Sequence, residues 1–194
     1  MSNSIYFVTH PEVQQDADIP VPKWHLSALG FDRAKKMLRQ PWIENIQEIF
    51  SSNEQKAIDL ANIVSDNLQI KPQTIEELGE IDRSSTGYLG QNEFWKVVKE
   101  FFEYPDESVR GWEKATDVQN RIVTTIENII RQNPNKNIFI ASHGGVGVLL
   151  NWYIKKMNIP KSGYELGKGG GYYFVFNAKN LDLINDWLPI DKID

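Results

Sequence analysis

Two of the three histidines in this chain stand directly behind short apolar runs. His10 follows "IYFV" and a threonine, and His143 follows "NIFIAS". A neutral imidazole is both a nucleophile and a proton carrier near neutral pH, so two of them held at strand ends form a candidate reaction centre. Glu80, behind "EELG", adds a carboxylate that can give and take a proton. Gly144 and Gly145 come next after His143 and are expected to open a helix, where backbone N–H groups and the helix dipole favour an anion. These residues describe an anion pocket with a nucleophile and an acid. A lone histidine at one strand end is most often structural. Two of them, joined by a carboxylate and helix-opening glycines, are better explained by a site.

Such a site needs a scaffold that gathers strand ends, and the periodicity supplies one. Strands are expected at 4–9, 48–52, near 74–78 and at 137–142, with a final pair at 171–177 and 181–187 joined by "NAKN". Helices are expected at 27–38, with Ser27 as N-cap, and after "SSNE", where Ser51 and Glu54 make a capping-box pattern. In the second helix Ala57, Leu60, Ala61, Val64 and Leu68 form one apolar face. Further helices are expected at 92–103, at 114–132 (burying Val118, Ile122, Ile126 and Ile129) and at 145–157, the last apolar nearly all round. Residues 11–26 and 79–90 read as loops. Apolar strands alternating with helices predict one α/β domain over 1–194: a three-layer α/β/α arrangement around a mostly parallel central sheet. Ligands of such sheets gather at the carboxyl ends of the strands, where His10, Ser51–Ser52, Glu80 and His143 all fall.

Composition narrows the partners. Twenty-one Lys and Arg against 26 Asp and Glu leave a net charge of -5, which argues against nucleic acid or an anionic membrane as a partner. With no cysteine there is no disulfide framework or thiolate chemistry. The apolar run near the N-terminus is too short for a signal sequence, and no stretch is long enough to span a bilayer, so a cytoplasmic protein is expected.

"FVTH", "LSALGFDRA", "FSSNEQKAIDLA", "LGE", "GWEKATDVQNRI" and "IFIASHGGV" occur in the order and spacing of the histidine phosphatase, or phosphoglycerate-mutase-like, superfamily, which the chain resembles over about residues 5 to 150. The resemblance implies a phosphoryl-transfer enzyme acting on a small phosphorylated substrate, without metal or cofactor. It makes His10 the nucleophile that becomes phosphorylated, reacting through one ring nitrogen while the other donates to a backbone carbonyl. His143 becomes a donor to the phosphoryl oxygens. Glu80 becomes the proton donor to the leaving group, its pKa expected to rise beside a bound phosphate.

The chain departs from the family in the phosphate cradle. The family's Arg-His-Gly is here Thr9-His10-Pro11, which puts Thr9 where a phosphate-binding arginine is usual. The arginine of the second motif is Lys56, a point charge in place of a two-pronged fork. Arg83, in the loop bordering the pocket, is a candidate substitute, as is Lys168 in "GKGGG"; Gly144 is expected to offer its N–H. A phosphatase is therefore the first reading. A phosphomutase and a catalytically weak or inactive protein that binds a phosphorylated or anionic ligand are the alternatives. Outside this set, His25 and Ser52 read as structural, and Asp16 and Asp18 fix no metal geometry. Trp95, Phe101, Phe102 and Tyr104 read as either a lid or a satellite core.

Overall fold

The computed structural model describes residues 3–160 and 169–193. Six strands form a single sheet: β1 (Ser4–Thr9), β2 (Glu48–Ser51), β3 (Gln73–Thr74), β4 (Ile138–Ser142), β5 (Tyr172–Asn177) and β6 (Leu183–Pro189). Their order across the sheet is β3-β2-β4-β1-β5-β6. The first four in that order run parallel; β5 and β6 are antiparallel additions, forming a hairpin beside β1. The sheet is thus mostly parallel, as expected, with β5 alone running against the other strands because it joins β1 and β6 without a crossover that would keep its direction.

The helices are α1 (Ala28–Met37), α2 (Gln55–Leu68), α3 (Gln91–Glu103), α4 (Ala115–Gln132) and α5 (Gly144–Ile154). Alternation along the strands divides them between two cores. Ile138 and Ile140 point to the side covered by α3, α4 and α5, while Phe139 and Ala141 point to the side covered by α1 and α2. Every residue of β4 is buried, which is why its sequence is a continuous apolar run instead of an alternating one. Phe101 and Phe102 belong to the core, whereas Trp95 and Tyr104 remain 40% and 47% exposed. None of the helices among the described residues is long and apolar enough to cross a membrane.

Two local expectations are corrected. Ser27 does cap α1, its side chain accepting the Gly30 N–H. Ser51 and Glu54, however, form no capping box: Ser51 ends β2, and Glu54 is the residue before α2 with no side-chain cap. It is the Ser52 hydroxyl that accepts the Glu54 N–H. The third strand is only the pair Gln73–Thr74, since residues 76–78 coil into a single 3-10 turn that buries Leu78.

Candidate active site

Parallel register brings the strand ends together. Thr9 pairs with Ser142 and Ser51 with Ala141, so the chain leaves β1, β2 and β4 side by side at His10, Ser52 and His143. The His10 N–H continues the ladder onto the Ser142 carbonyl, at 3.0 Å. The two rings meet edge to face, with centroids 5.2 Å apart. His10 Nδ1 lies 2.8 Å from the Pro11 carbonyl. A carbonyl can only accept, so Nδ1 carries the proton and Nε2 keeps its lone pair. Burial lowers the His10 pKa to about 4, helped by the Lys56 charge and partly opposed by the Pro11 hydrogen bond. The imidazole is neutral at physiological pH.

The backbone of the nucleophile segment is held from behind by the glycine run. Gly171 donates its N–H to the His10 carbonyl at 3.0 Å. Gly170, with φ +68, passes so close that a Cβ there would stand 2.4 Å from the same carbonyl oxygen. Arg33 of α1 fastens both glycines through their carbonyls and pairs with Glu12 and Asp191. Gly170 and Gly171 therefore buttress His10. Lys168 lies outside the described residues.

His143 is fully buried. Its Nε2 is 2.7 Å from Ser52 Oγ and 3.5 Å from Glu54 Oε1. Burial drives its pKa well below the usual histidine value, against the attraction of Glu54. Ser52, expected to be structural only, is thus part of the site. Lys56 is 3% exposed and enters the site too, but its ammonium is engaged: it donates to Glu54 Oε2 and, at 3.1 Å, to the Val21 carbonyl. Glu54 also accepts the Glu80 N–H at 2.9 Å. Burial alone would raise the Glu54 pKa; the adjoining His143, the Lys56 ammonium and these hydrogen bonds hold it down at about 2. Sequence reasoning assigned Glu54 to a cap and missed it here, although the "EQK" spacing placed both residues at the first turn of one helix.

Glu80 answers the question of which anion sits on the α5 N-terminus. Its Oε1 accepts from Ile81 N (3.0 Å) and Val146 N (3.1 Å), and Oε2 accepts from Gly145 N (3.1 Å). Gly145 permits this approach, because a Cβ there would come within 2.6 Å of Oε1. The helix end expected to receive the ligand is filled by the protein's own carboxylate. Only the Gly144 N–H is without a partner among the described residues.

Thr9 is corrected outright. It is 1% exposed, and its hydroxyl donates to the Tyr172 carbonyl and accepts the Tyr172 N–H. Pleating turns it from the pocket that the adjacent His10 faces. Replacing Thr9 by arginine is consequently expected to lower stability by about 3 kcal/mol or more, by burying an unpaired guanidinium and breaking the Tyr172 contacts, and to add nothing to phosphate affinity. Thermal unfolding and phosphate titration of the variant check both halves.

Arg83 does face the site. It lines a groove of about 1130 Å³ together with Glu54, Glu80, Tyr88 and Trp112. Its guanidinium lies over the Phe94 ring, 4.9 Å from the centroid, and its charge helps lower the pKa of both site histidines. His25 stands aside, paired with Asp59 at 2.9 Å. One further residue went unnoticed in the sequence: Arg121 of α4, which grips the carbonyls of Glu77, Gly79 and Glu80 and pairs in two-pronged fashion with Glu113.

Comparison with known proteins matches this geometry to a family. The family model of the histidine phosphatase superfamily (branch 1) matches residues 5–166. No curated protein sequence matches the chain. Among solved structures, a mycobacterial glucosyl-3-phosphoglycerate phosphatase in complex with inorganic phosphate is similar over 98% of this chain and 100% of its own, with a TM-score of 0.80 at 14% identity. YhfR of Bacillus stearothermophilus gives 0.81 at 16% identity over 98% of this chain and 100% of its own. A phosphoserine phosphatase of Entamoeba histolytica, in complex with 3-phosphoglyceric acid, gives 0.76 at 16% identity, over 95% of this chain and 96% of its own. At such identities the likeness speaks for the fold, while the family match spans most of the chain. On that match the chain belongs to the histidine phosphatase superfamily, branch 1.

Proposed function

We propose that the protein is a phosphatase that hydrolyses a small phosphate ester through a phosphohistidine on His10. The observation that carries the reading is the tautomer: with Nδ1 bound to the Pro11 carbonyl, Nε2 of a neutral His10 keeps its lone pair, and the ring lies 5.2 Å from that of His143 at the end of the sheet. In the first step a bond forms between His10 Nε2 and phosphorus while the ester P–O bond breaks. Glu80 gives the departing oxygen a proton; its Oε2 accepts a single N–H and has the lone pair to hold one. Water then attacks phosphorus, Glu80 takes the water's proton, and inorganic phosphate leaves with His10 restored. His143 and Arg83 stabilise the charge on the transferring oxygens. A phosphomutase would differ only in giving the phosphoryl group to a second hydroxyl. Similar folds in proteins described as phosphatases support hydrolysis.

A second reading, a binder of phosphorylated or anionic ligands with little turnover, has one observation in its favour: Lys56 is already paired with Glu54. Phosphate release measured over a panel of phosphorylated metabolites separates the two. Turnover of at least one monoester above the uncatalysed rate supports the enzyme. Saturable binding across the panel with no release would favour the binder.

A further inference from the structure

The position between the groups assigned to the phosphoryl oxygens already holds an anion. Glu54 is 8% exposed, and each of its oxygens takes up a partner a phosphate would use. Oε2 receives the Lys56 ammonium, while Oε1 receives the Glu80 N–H and stands 3.5 Å from His143 Nε2. The charged side chains facing this position are Lys56 of α2, Arg83 and Glu80 of the loop before α3, and Glu54 itself; His10 and His143 are neutral neighbours. Two cations therefore meet two carboxylates before any ligand arrives. The groove is also lined by Asp18, Glu76, Glu77 and Asp82, and its one further cation among the described residues, Arg121, is paired with Glu113. Like charges at such distances in a partly desolvated site repel strongly, and a second negative charge on the ligand meets that repulsion again.

We propose that Glu54 is a specificity determinant: its carboxylate is the resident anion of the phosphoryl site and selects phosphoryl groups carrying one negative charge over those carrying two. This rests on the phosphatase reading of the same site. A singly charged group is tolerated because Arg83 is free of carboxylate partners among the described residues, while a doubly charged one must displace Glu54 from Lys56. Between pH 6 and 8 the discrimination is set by the ligand and not by the pocket, since His10 titrates at about 4 and Glu54 at about 2.

Inorganic phosphate is the probe, because it changes from mostly monoanion at about pH 6 to mostly dianion at about pH 8. Calorimetric titration at constant ionic strength is expected to show wild-type affinity falling by about five- to tenfold across that interval, the limit set by the loss of monoanion. Glu54→Gln keeps the shape and removes the charge, and should bind phosphate about tenfold or more tightly than wild type at the higher pH, its preference abolished. Glu54→Asp keeps the charge and should keep the preference. The wild-type series decides even if the glutamine variant fails to fold: equal affinity at both pH values overturns the inference. So does a folded glutamine variant with wild-type pH dependence. Phosphate binding absent from wild type and both variants, at both pH values, would instead overturn the phosphatase reading and the inference with it.

Discussion

Replacing His10 by alanine is expected to abolish phosphate release, lowering kcat by about 10⁴-fold or more, as loss of a covalent nucleophile does elsewhere. Nothing else in the site can take its place. His143 is fully buried with Nε2 bonded to Ser52, and Lys56 is engaged by Glu54 and the Val21 carbonyl. The same experiment has a covalent readout. Wild-type protein quenched during turnover should carry acid-labile phosphate on His10, detected by mass spectrometry, and the alanine variant none. It also has a pH signature. Attack requires the unprotonated ring, and burial puts the His10 pKa near 4 where an exposed histidine titrates near 6.5. Activity, corrected for ionisation of the substrate, should therefore persist well below pH 6 and fall only as pH drops through about 4. An acid limb centred near 6.5 would mean that His10 is not the group that must be neutral.

Removing the Arg121 side chain is expected to cost about 3 kcal/mol of stability and to lower kcat about tenfold or more in protein that remains folded. Its guanidinium donates to the Glu77 carbonyl at 2.7 Å, Gly79 at 3.1 Å and Glu80 at 3.4 Å, while two bonds of 2.9 and 2.8 Å hold Glu113. Glu113 in turn accepts the Asp82 N–H, so one ion pair grips both sides of Glu80. Arg121→Ala leaves these carbonyls without a donor and the Glu113 carboxylate without a counter-ion. Thermal unfolding reads the first effect. A fall in kcat with phosphate affinity unchanged reads the second, because Arg121 touches the backbone around Glu80, the proposed proton donor, and not the proposed phosphoryl position. Arg121→Lys, which offers a point charge where a planar fork is needed, should recover only part of either.

Much of this molecule was legible in one dimension because it depends on local repetition. The helical spacing of Val118, Ile122, Ile126 and Ile129 buries α4, and the unbroken apolar run of 138–141 requires a strand covered on both faces. Strand ends in parallel sheets collect ligands, so His10 and His143 were brought to one place by topology alone. The failures have a different character. Thr9 was set beside His10 as a phosphate contact, but pleating turns it to the backbone of β5, a strand more than 160 residues later. Glu54 matched a capping pattern that depends only on spacing, yet its carboxylate crosses to Lys56 and His143. The α5 N-terminus was expected to receive a ligand anion, but the carboxylate on it is that of Glu80, which arrives from a separate loop.

What the sequence determined by itself is the order of strands and helices, the two cores and the residues delivered to the strand ends, since hydrophobic period and chain direction are properties of adjacent residues. The state of the site was decided only in three dimensions. Whether a lysine is free or paired, a threonine faces solvent or sheet, and a histidine keeps its proton on one nitrogen or the other depends on partners far away in the chain. Those pairings follow from burial, because a polar group removed from water takes whichever partner the fold places within reach. Here the fold places Glu54 against Lys56 and Glu80 against the α5 N-terminus, pairs that hydrophobic period alone does not encode.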